Sequence, residues 1–351
     1  MATIADQFLR KQLEERRMRL AAAITEPSAD AGLARLLQQV DSALGRMDAG
    51  TYGICEKCCE PIEADRLLAD PLACVCLDHL TVQQQRALES DLELAAQVQR
   101  TLLPPNGVHA AGWDLHYHWQ PFSLVSGDYC DLIYSKDAKD EIWFLLGDVS
   151  GKGVAASMLM THLHAIFRSL TSMGAAPARR MAQHDPPAVP PGGSTSLSID
   201  QLMLAANRVF CESVMAGQFA TMIAGRASAS GRVEIVNAGH CPVLVVRPDG
   251  VTALSSTGVP LGMFCEVSAT VQNVDLAPGE SLFLYTDGLS EMCDPAGAQF
   301  GDQRLASFLV ERRTLAPGAL VDDCLRHVNE FASGTPPADD LTVMVIQRTT
   351  P

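Results

Sequence analysis

The sequence predicts an α+β protein whose helices gather near the N-terminus and whose strands fill the remainder. Three observations carry this. Apolar residues recur at helical spacing up to about residue 103, and from Trp113 onward they form short strand-type runs separated by Gly, Asn, Asp and Pro. Two helical stretches, 153–170 and 199–215, interrupt those runs. With 351 residues, of which 47% are hydrophobic, the chain is long enough for two or more domains with a sizeable core. Its formal charge is −15, from 26 basic and 41 acidic side chains. Acidic side chains are in excess on both sides of residue 100, which argues against binding nucleic acid or an anionic membrane through net charge.

Residues 1–50 predict a helical hairpin. Leu9, Leu13, Leu20 and Ile24 form one stripe and Leu33, Leu36, Leu37, Val40, Leu44 and Met47 a cleaner one, with the breaker Glu26-Pro27-Ser28 between them. Asp48-Ala49-Gly50 ends the second helix, as Gly commonly does just past a helix C-terminus. Charge throughout the first 20 residues argues against a signal peptide, and no apolar run approaches the roughly 18 residues of a membrane helix. An odd count of 11 cysteines, several of them adjacent or nearly so, points to a reducing, cytoplasmic setting with some thiols on metal.

Residues 51–80 hold Cys55-Glu-Lys-Cys58 and, after 17 intervening residues, Cys76-Leu-Asp-His79. Two pairs at this spacing suit one tetrahedral Zn2+ held by Cys55, Cys58, Cys76 and His79, and four protein ligands make the site structural. Cys59 and Cys74 are substitutes outside the paired spacing. The run Leu44-Gly-Arg-Met47-Asp48-Ala-Gly50-Thr-Tyr52-Gly53-Ile-Cys55-Glu-Lys-Cys58, then Pro61-Ile62, Arg66-Leu67, Pro71, Cys76 and His79, resembles the DksA/TraR zinc-finger family, which usually has Cys in the place of His79. That resemblance implies binding to RNA polymerase through acidic residues at a coiled-coil tip. Here each arm is only about 20 residues, roughly 30 Å, and the turn offers only Glu26 and Asp30. The zinc site is therefore carried over, and an adaptor for RNA polymerase or a sigma pathway stands as the alternative reading.

Residues 81–105 predict a linker helix with Leu88, Leu92, Ala95 and Leu102 on a heptad register whose remaining place holds Gln99, stopped by Pro104-Pro105-Asn106-Gly107. It packs on its own domain or pairs with a second copy as a homodimer.

Residues 106–351 form the last domain, with a flexible insertion at 171–198 rich in Gly, Ala, Pro and Ser. Carboxylates stand where its strands begin or end. Asp128 and Asp131 precede the run 142–146, Asp148 follows it, Asp287 follows 282–285, and Asp339-Asp340 precede 341–346. Brought to one sheet edge, such a cluster needs a hard divalent cation, Mg2+ or Mn2+, to offset its repulsion. The turn Asp148-Val149-Ser150-Gly151 adds the Val149 carbonyl as an oxygen donor.

The ordered motifs Glu93-Leu-Ala-Ala-Gln97-Val-Gln99, Ser126-Gly-Asp128-Tyr-Cys-Asp131, Gly147-Asp148-Val-Ser-Gly-Lys-Gly153, Asn237-Ala-Gly-His240, Gly258-Val-Pro-Leu-Gly262, Tyr285-Thr-Asp287-Gly288-Leu-Ser-Glu291 and Asp339-Asp340-Leu-Thr342 resemble the SpoIIE/RsbU serine/threonine phosphatases of the protein phosphatase 2C (PPM) superfamily. The resemblance covers about residues 90–348. It implies an αββα sandwich of two central antiparallel sheets and two Mg2+ or Mn2+ ions held by Asp128, Asp148 with the Val149 carbonyl, Asp287, and one of Asp339 and Asp340, with the motif order favouring Asp339. It further implies attack of a water bridging the two metals on a phosphoserine or phosphothreonine. The implied substrate is a phosphorylated STAS-type anti-sigma-factor antagonist, with control through the linker helix and the helix after Asp148. His240 contacts substrate or braces a turn, with the brace favoured, and Ser150, His116, His118, His162 and His164 are turn, surface or packing residues.

Overall fold

The structure, a computed structural model, describes residues 4–24, 31–134, 141–175, 197–214 and 217–349. The turn bearing Glu26 and Asp30, and residues 176–196 of the predicted insertion, lie outside these. The chain divides into two compact units, Met1–Leu92 and Glu93–Pro351.

The first unit holds α1 (Ile4–Ile24), α2 (Ala31–Asp48), the short α3 (Ala64–Ala69), a 3-10 turn at Leu77–His79 and the first half of α4 (Val82–Leu102). Arg10 pairs with Asp48 at 2.8 Å and Arg17 with Asp41 at 2.6 Å. Partners that descend in α2 as they ascend in α1 make the two helices antiparallel, as the sequence predicts. Leu13, Leu20, Val40 and Ala43 are buried between them, which is the helical period expressed as packing.

The second unit is a sandwich. Its strands are β1 (Val108–Ala110), β2 (Trp113–Gln120), β3 (Asp128–Ile133), β4 (Glu141–Val149), β5 (Ala220–Ser228), β6 (Arg232–Ala238), β7 (Val243–Arg247), β8 (Gly250–Leu254), β9 (Gln272–Asp275), β10 (Ser281–Tyr285) and β11 (Leu341–Arg348). They form a six-stranded sheet ordered β1-β2-β11-β10-β7-β8 and a five-stranded sheet ordered β3-β4-β5-β6-β9, with antiparallel neighbours throughout. Helices α5 (Gly153–Ala175) and α6 (Ile199–Cys211) cover the five-stranded sheet, and α8 (Gly301–Arg312) and α9 (Pro317–Ala332) cover the six-stranded one.

Alternation along single strands shows why the layers stack. In β4, Ile142, Phe144 and Leu146 enter the core between the sheets, while Leu145 and Val149 face the α5/α6 layer. In β10, Leu282 and Leu284 face the other sheet and Phe283 and Tyr285 face α8 and α9. Both faces of these strands are covered, so they read as continuous apolar runs with no polar alternation.

Several elements depart from expectation. Helices α8 and α9 add to the two predicted in this region, and β1, β2, β3, β8 and β9 add to the predicted strands. Along the α4 register Leu88 is exposed, Leu92, Ala95 and Leu102 are half-buried and Gln99 is buried, with Ala96 buried beside it. Cys211, expected as a free thiol, is bonded to Cys265. Asn207 of α6 explains the encounter, since its side chain accepts from the Gly262 N–H at 2.9 Å and donates to the Phe264 carbonyl at 2.9 Å. Those two bonds hold the loop against the end of α6.

Candidate functional site

The predicted carboxylates converge at one end of the sandwich. Asp128 opens β3 and stands directly opposite Asp148 near the end of β4. Asp287 begins the short α7 (Asp287–Ser290) two residues after the end of β10, and Asp339-Asp340 precede β11, the strand paired with β10. Asp128 and Asp148 thus come from one sheet, and Asp287, Asp339 and Asp340 flank strands of the other.

Their environments differ, and so do the jobs they can do. Asp128 is buried, and its Oδ2 accepts the Thr286 hydroxyl at 2.9 Å and the Thr342 hydroxyl at 2.5 Å. Burial holds its carboxyl well above the usual range, Asp148 pushes the same way, and the two hydroxyls oppose them. Asp148 is half-buried and pushed up to about 7, first by burial and then by Asp287, Asp339 and Asp340. Asp287 is raised by burial, by Glu291 and by Asp339. Carboxylates that raise one another in this way form an anionic cluster suited to a hard divalent cation.

The Asp339-Asp340 pair separates by contact. Asp340 accepts the Phe122 N–H on Oδ1 at 2.6 Å and the Gly127 N–H on Oδ2 at 2.7 Å, so both its oxygens brace the loop that leads into β3. Asp339 is the more open, and its Oδ2 lies 2.8 Å from the Lys152 ammonium. The Val149 carbonyl closes against Gly127, where a Cβ would stand only 3.1 Å from that oxygen. Gly288 is a tighter case, because a Cβ there would fall on the Asp340 carbonyl; α7 can meet the start of β11 only with hydrogen at this place.

Asp131, three residues past Asp128, faces elsewhere. It accepts Arg168 Nε at 2.7 Å and the Tyr129 hydroxyl at 3.1 Å, which pins α5 to β3. His164 lies 3.8 Å from it, so this histidine joins a buried polar group instead of the surface. His240 is buried with Nδ1 2.6 Å from the Thr221 hydroxyl, and Thr221 in turn stands opposite Asp148 across β4 and β5. The Ser150 hydroxyl accepts the Phe219 N–H at 2.9 Å, a turn role as expected.

In the first unit, Cys55, Cys58, Cys76 and His79 bring one ligand atom each to within 4.8 Å of one another, the one such tight group among the described residues. Cys58 Sγ and Cys76 Sγ are 3.8 Å apart. A tetrahedral zinc with bonds of about 2.3 Å has an S···S edge of about 3.8 Å, so the donor set fits that ion. Burial works to raise the Cys55 thiol, yet N–H groups of Cys58, Cys76 and Lys57 outweigh it and bring it down to about 6, while Cys76 is pushed up to about 11 by burial and by the neighbouring Cys55 and Cys58. Cys59 adopts a left-handed conformation (φ 60°) in the knuckle turn and is exposed, which leaves its thiol outside the group.

Sequence reasoning missed the helpers. Thr286, Thr342, Gln99 and Lys152 lie within or beside the quoted motifs, but their bonds are tertiary, and spacing alone gives no sign of them.

Comparison with known proteins agrees with this geometry. The family described as Stage II sporulation protein E (SpoIIE) matches residues 138–349, well over half of the chain. Protein IcfG of Synechocystis sp. is 28% identical over 265 residues, 74% of this chain but 41% of IcfG, so the chain spans less than half of that relative. Phosphoserine phosphatase RsbU of Bacillus subtilis is 25% identical over 278 residues, covering 77% of this chain and 74% of RsbU. Among solved structures, the SiaA-PP2C domain of Pseudomonas aeruginosa superposes with a TM-score of 0.60 at 17% identity, over 76% of this chain and 99% of that one. The shared sandwich and the extent of the sequence match lead to one conclusion: the chain belongs to the SpoIIE family, and its second unit has the fold of the SiaA-PP2C domain.

Proposed function

We propose that the chain is a metal-dependent phosphatase that removes phosphate from a phosphoserine or phosphothreonine of a regulatory protein, a STAS-type anti-sigma-factor antagonist by class. The observation that carries this is the convergence of Asp128, Asp148, Asp287 and Asp339 from both sheets onto one edge, in a chain of the SpoIIE family. RsbU, a relative of similar extent, is named a phosphoserine phosphatase, which supports the same chemistry here.

Asp128, Asp148 with the Val149 carbonyl, Asp287 and Asp339 would hold two Mg2+ or Mn2+ ions. Such ions, when bound, supply an acidified attacking water and offset the charge of the phosphoryl oxygens. Asp128, gripped by Thr286 and Thr342, fixes the position of the strand that faces Asp148, and Asp340 fixes the loop in front of it. The group at residues 51–80 would hold one structural Zn2+ and serve as a sensor or docking module, and residues 81–105 would link it to the catalytic domain at 106–351.

The test is phosphate release from a phosphoserine protein with Mn2+ present, comparing the full chain with Asp148→Asn and Asp287→Asn. A loss of at least a hundredfold in both supports the reading. Unchanged activity in both overturns the assigned site.

A further inference from the structure

Among the described residues, Lys152 is the one cationic side chain paired with a carboxylate of the sheet-edge cluster. Its Nζ lies 2.8 Å from Asp339 Oδ2, donates to the Ala338 carbonyl at 2.5 Å and stands 5.3 Å from the centre of the Phe122 ring. The loop that carries it is unusual for a cation anchor. Lys152 sits between Gly151 (φ 95°) and Gly153 (φ 73°), neither with an atom within 4 Å of where a Cβ would be. Lys152 is about half exposed, and its ammonium makes the contacts just given.

An ammonium and a divalent cation make the same demand on Asp339 Oδ2, and the two cannot share it at contact distance without repelling each other. We propose that Lys152 competes with the divalent cation for Asp339, so that this position takes metal more weakly than the others and Lys152 sets its affinity. The inference rests on the metal reading above and adds to it a residue that no part of that reading uses. Leaving Asp339 requires only that one exposed side chain rotate about a glycine-flanked position, so the exchange needs no refolding. The displaced ammonium stays on a stem of four methylenes anchored beside the cluster, and its contact with the Phe122 face gives it a second resting place.

The experiment is titration of the full chain with Mn2+, followed by electron paramagnetic resonance and calorimetry, for wild type, Lys152→Gln, Lys152→Arg and the pair Asp339→Asn and Asp339→Asn/Lys152→Gln. The expected result is that Lys152→Gln tightens the weaker Mn2+ position by roughly three- to tenfold and leaves the tighter one within about twofold, from removal of one opposing charge at a partly exposed pair. Lys152→Arg keeps wild-type affinity, and in the Asp339→Asn background the Gln substitution has no effect. Circular dichroism and melting of each variant without metal separate binding from folding. Equal or weaker Mn2+ binding in a folded Lys152→Gln, beside normal wild-type uptake, overturns this inference alone. A wild-type chain that takes up no Mn2+ at all overturns the metal reading and this inference with it.

Discussion

Gln99 of α4 and Ser126 ahead of β3 pair as neighbouring strands do: the side-chain amide donates to the Ser126 carbonyl at 2.6 Å and accepts the Ser126 N–H at 3.0 Å. Both residues are buried, so no water replaces either bond. Ser126 also accepts the Asp128 N–H on its hydroxyl at 3.0 Å, and the next residue, Gly127, donates to Asp340. Replacing Gln99 with Leu strands a donor and an acceptor together, at about 1–3 kcal/mol for each. Urea denaturation of Gln99→Leu should show a loss of about 2–6 kcal/mol in the unit that contains the sandwich, and an unchanged midpoint would show that the clamp contributes nothing.

Thr342 is the second test of that region. Its hydroxyl and that of Thr286 share Asp128 Oδ2. Thr342→Val keeps the shape and removes one donor from a buried carboxylate, which should cost about 1–3 kcal/mol. Thr342→Ser should keep most of it, and equal losses in both variants would point to the methyl group and away from the hydroxyl.

His240 predicts a pH dependence. Burial brings its pKa down from 6.5 to about 4, with the Tyr285 backbone pulling the other way. The unfolded chain therefore takes up a proton near pH 6.5 that the folded chain refuses until about pH 4. Stability from this group is complete above pH 6.5 and is lost as pH falls toward 4, reaching on the order of 3 kcal/mol. The raised carboxyls of Asp128, Asp148 and Asp287 act in the opposite direction, so the measurement is a difference: melting of wild type and His240→Gln at pH 7.5 and 5.0. The gap between the two proteins should shift in favour of the variant at the lower pH.

Removal of zinc should act on the first unit only. Elemental analysis of the purified chain should find one zinc per chain, and Cys58→Ser should abolish it. A zinc chelator should then melt the segment around Cys55–His79 while the transition of the sandwich stays in place. A single transition that shifts as a whole would instead tie the sandwich's stability to the zinc group.

Much of this was legible in the sequence because it is local. The hairpin follows from leucines at helical spacing, the Cys55, Cys58, Cys76 and His79 group from two pairs of possible ligands at short spacing, and the carboxylate edge from aspartates that flank apolar runs. The runs at β4, β10 and β11 declared themselves because helices and the opposite sheet cover both their faces. β2 did not, since Asp114, His116 and His118 break its apolar pattern, and neither did α8, whose Arg304, Glu311 and Arg312 dilute its stripe. The disulfide joins residues 54 apart in sequence, and Gln99, Lys152 and Thr342 act through partners 27, 187 and 214 positions away. No spacing rule reaches that far.

The origin of the carboxylates in two different sheets has a mechanical meaning. Asp128 and Asp148 ride on one slab and Asp287 and Asp339 on the other, with the Thr286 and Thr342 hydroxyls as rivets across the seam. A slide of one slab past the other by a fraction of an ångström leaves every strand intact and every apolar contact nearly so, yet changes the gap between the two pairs directly. The sandwich is in effect a calliper whose jaws are its sheets, and anything that leans on either slab adjusts the opening.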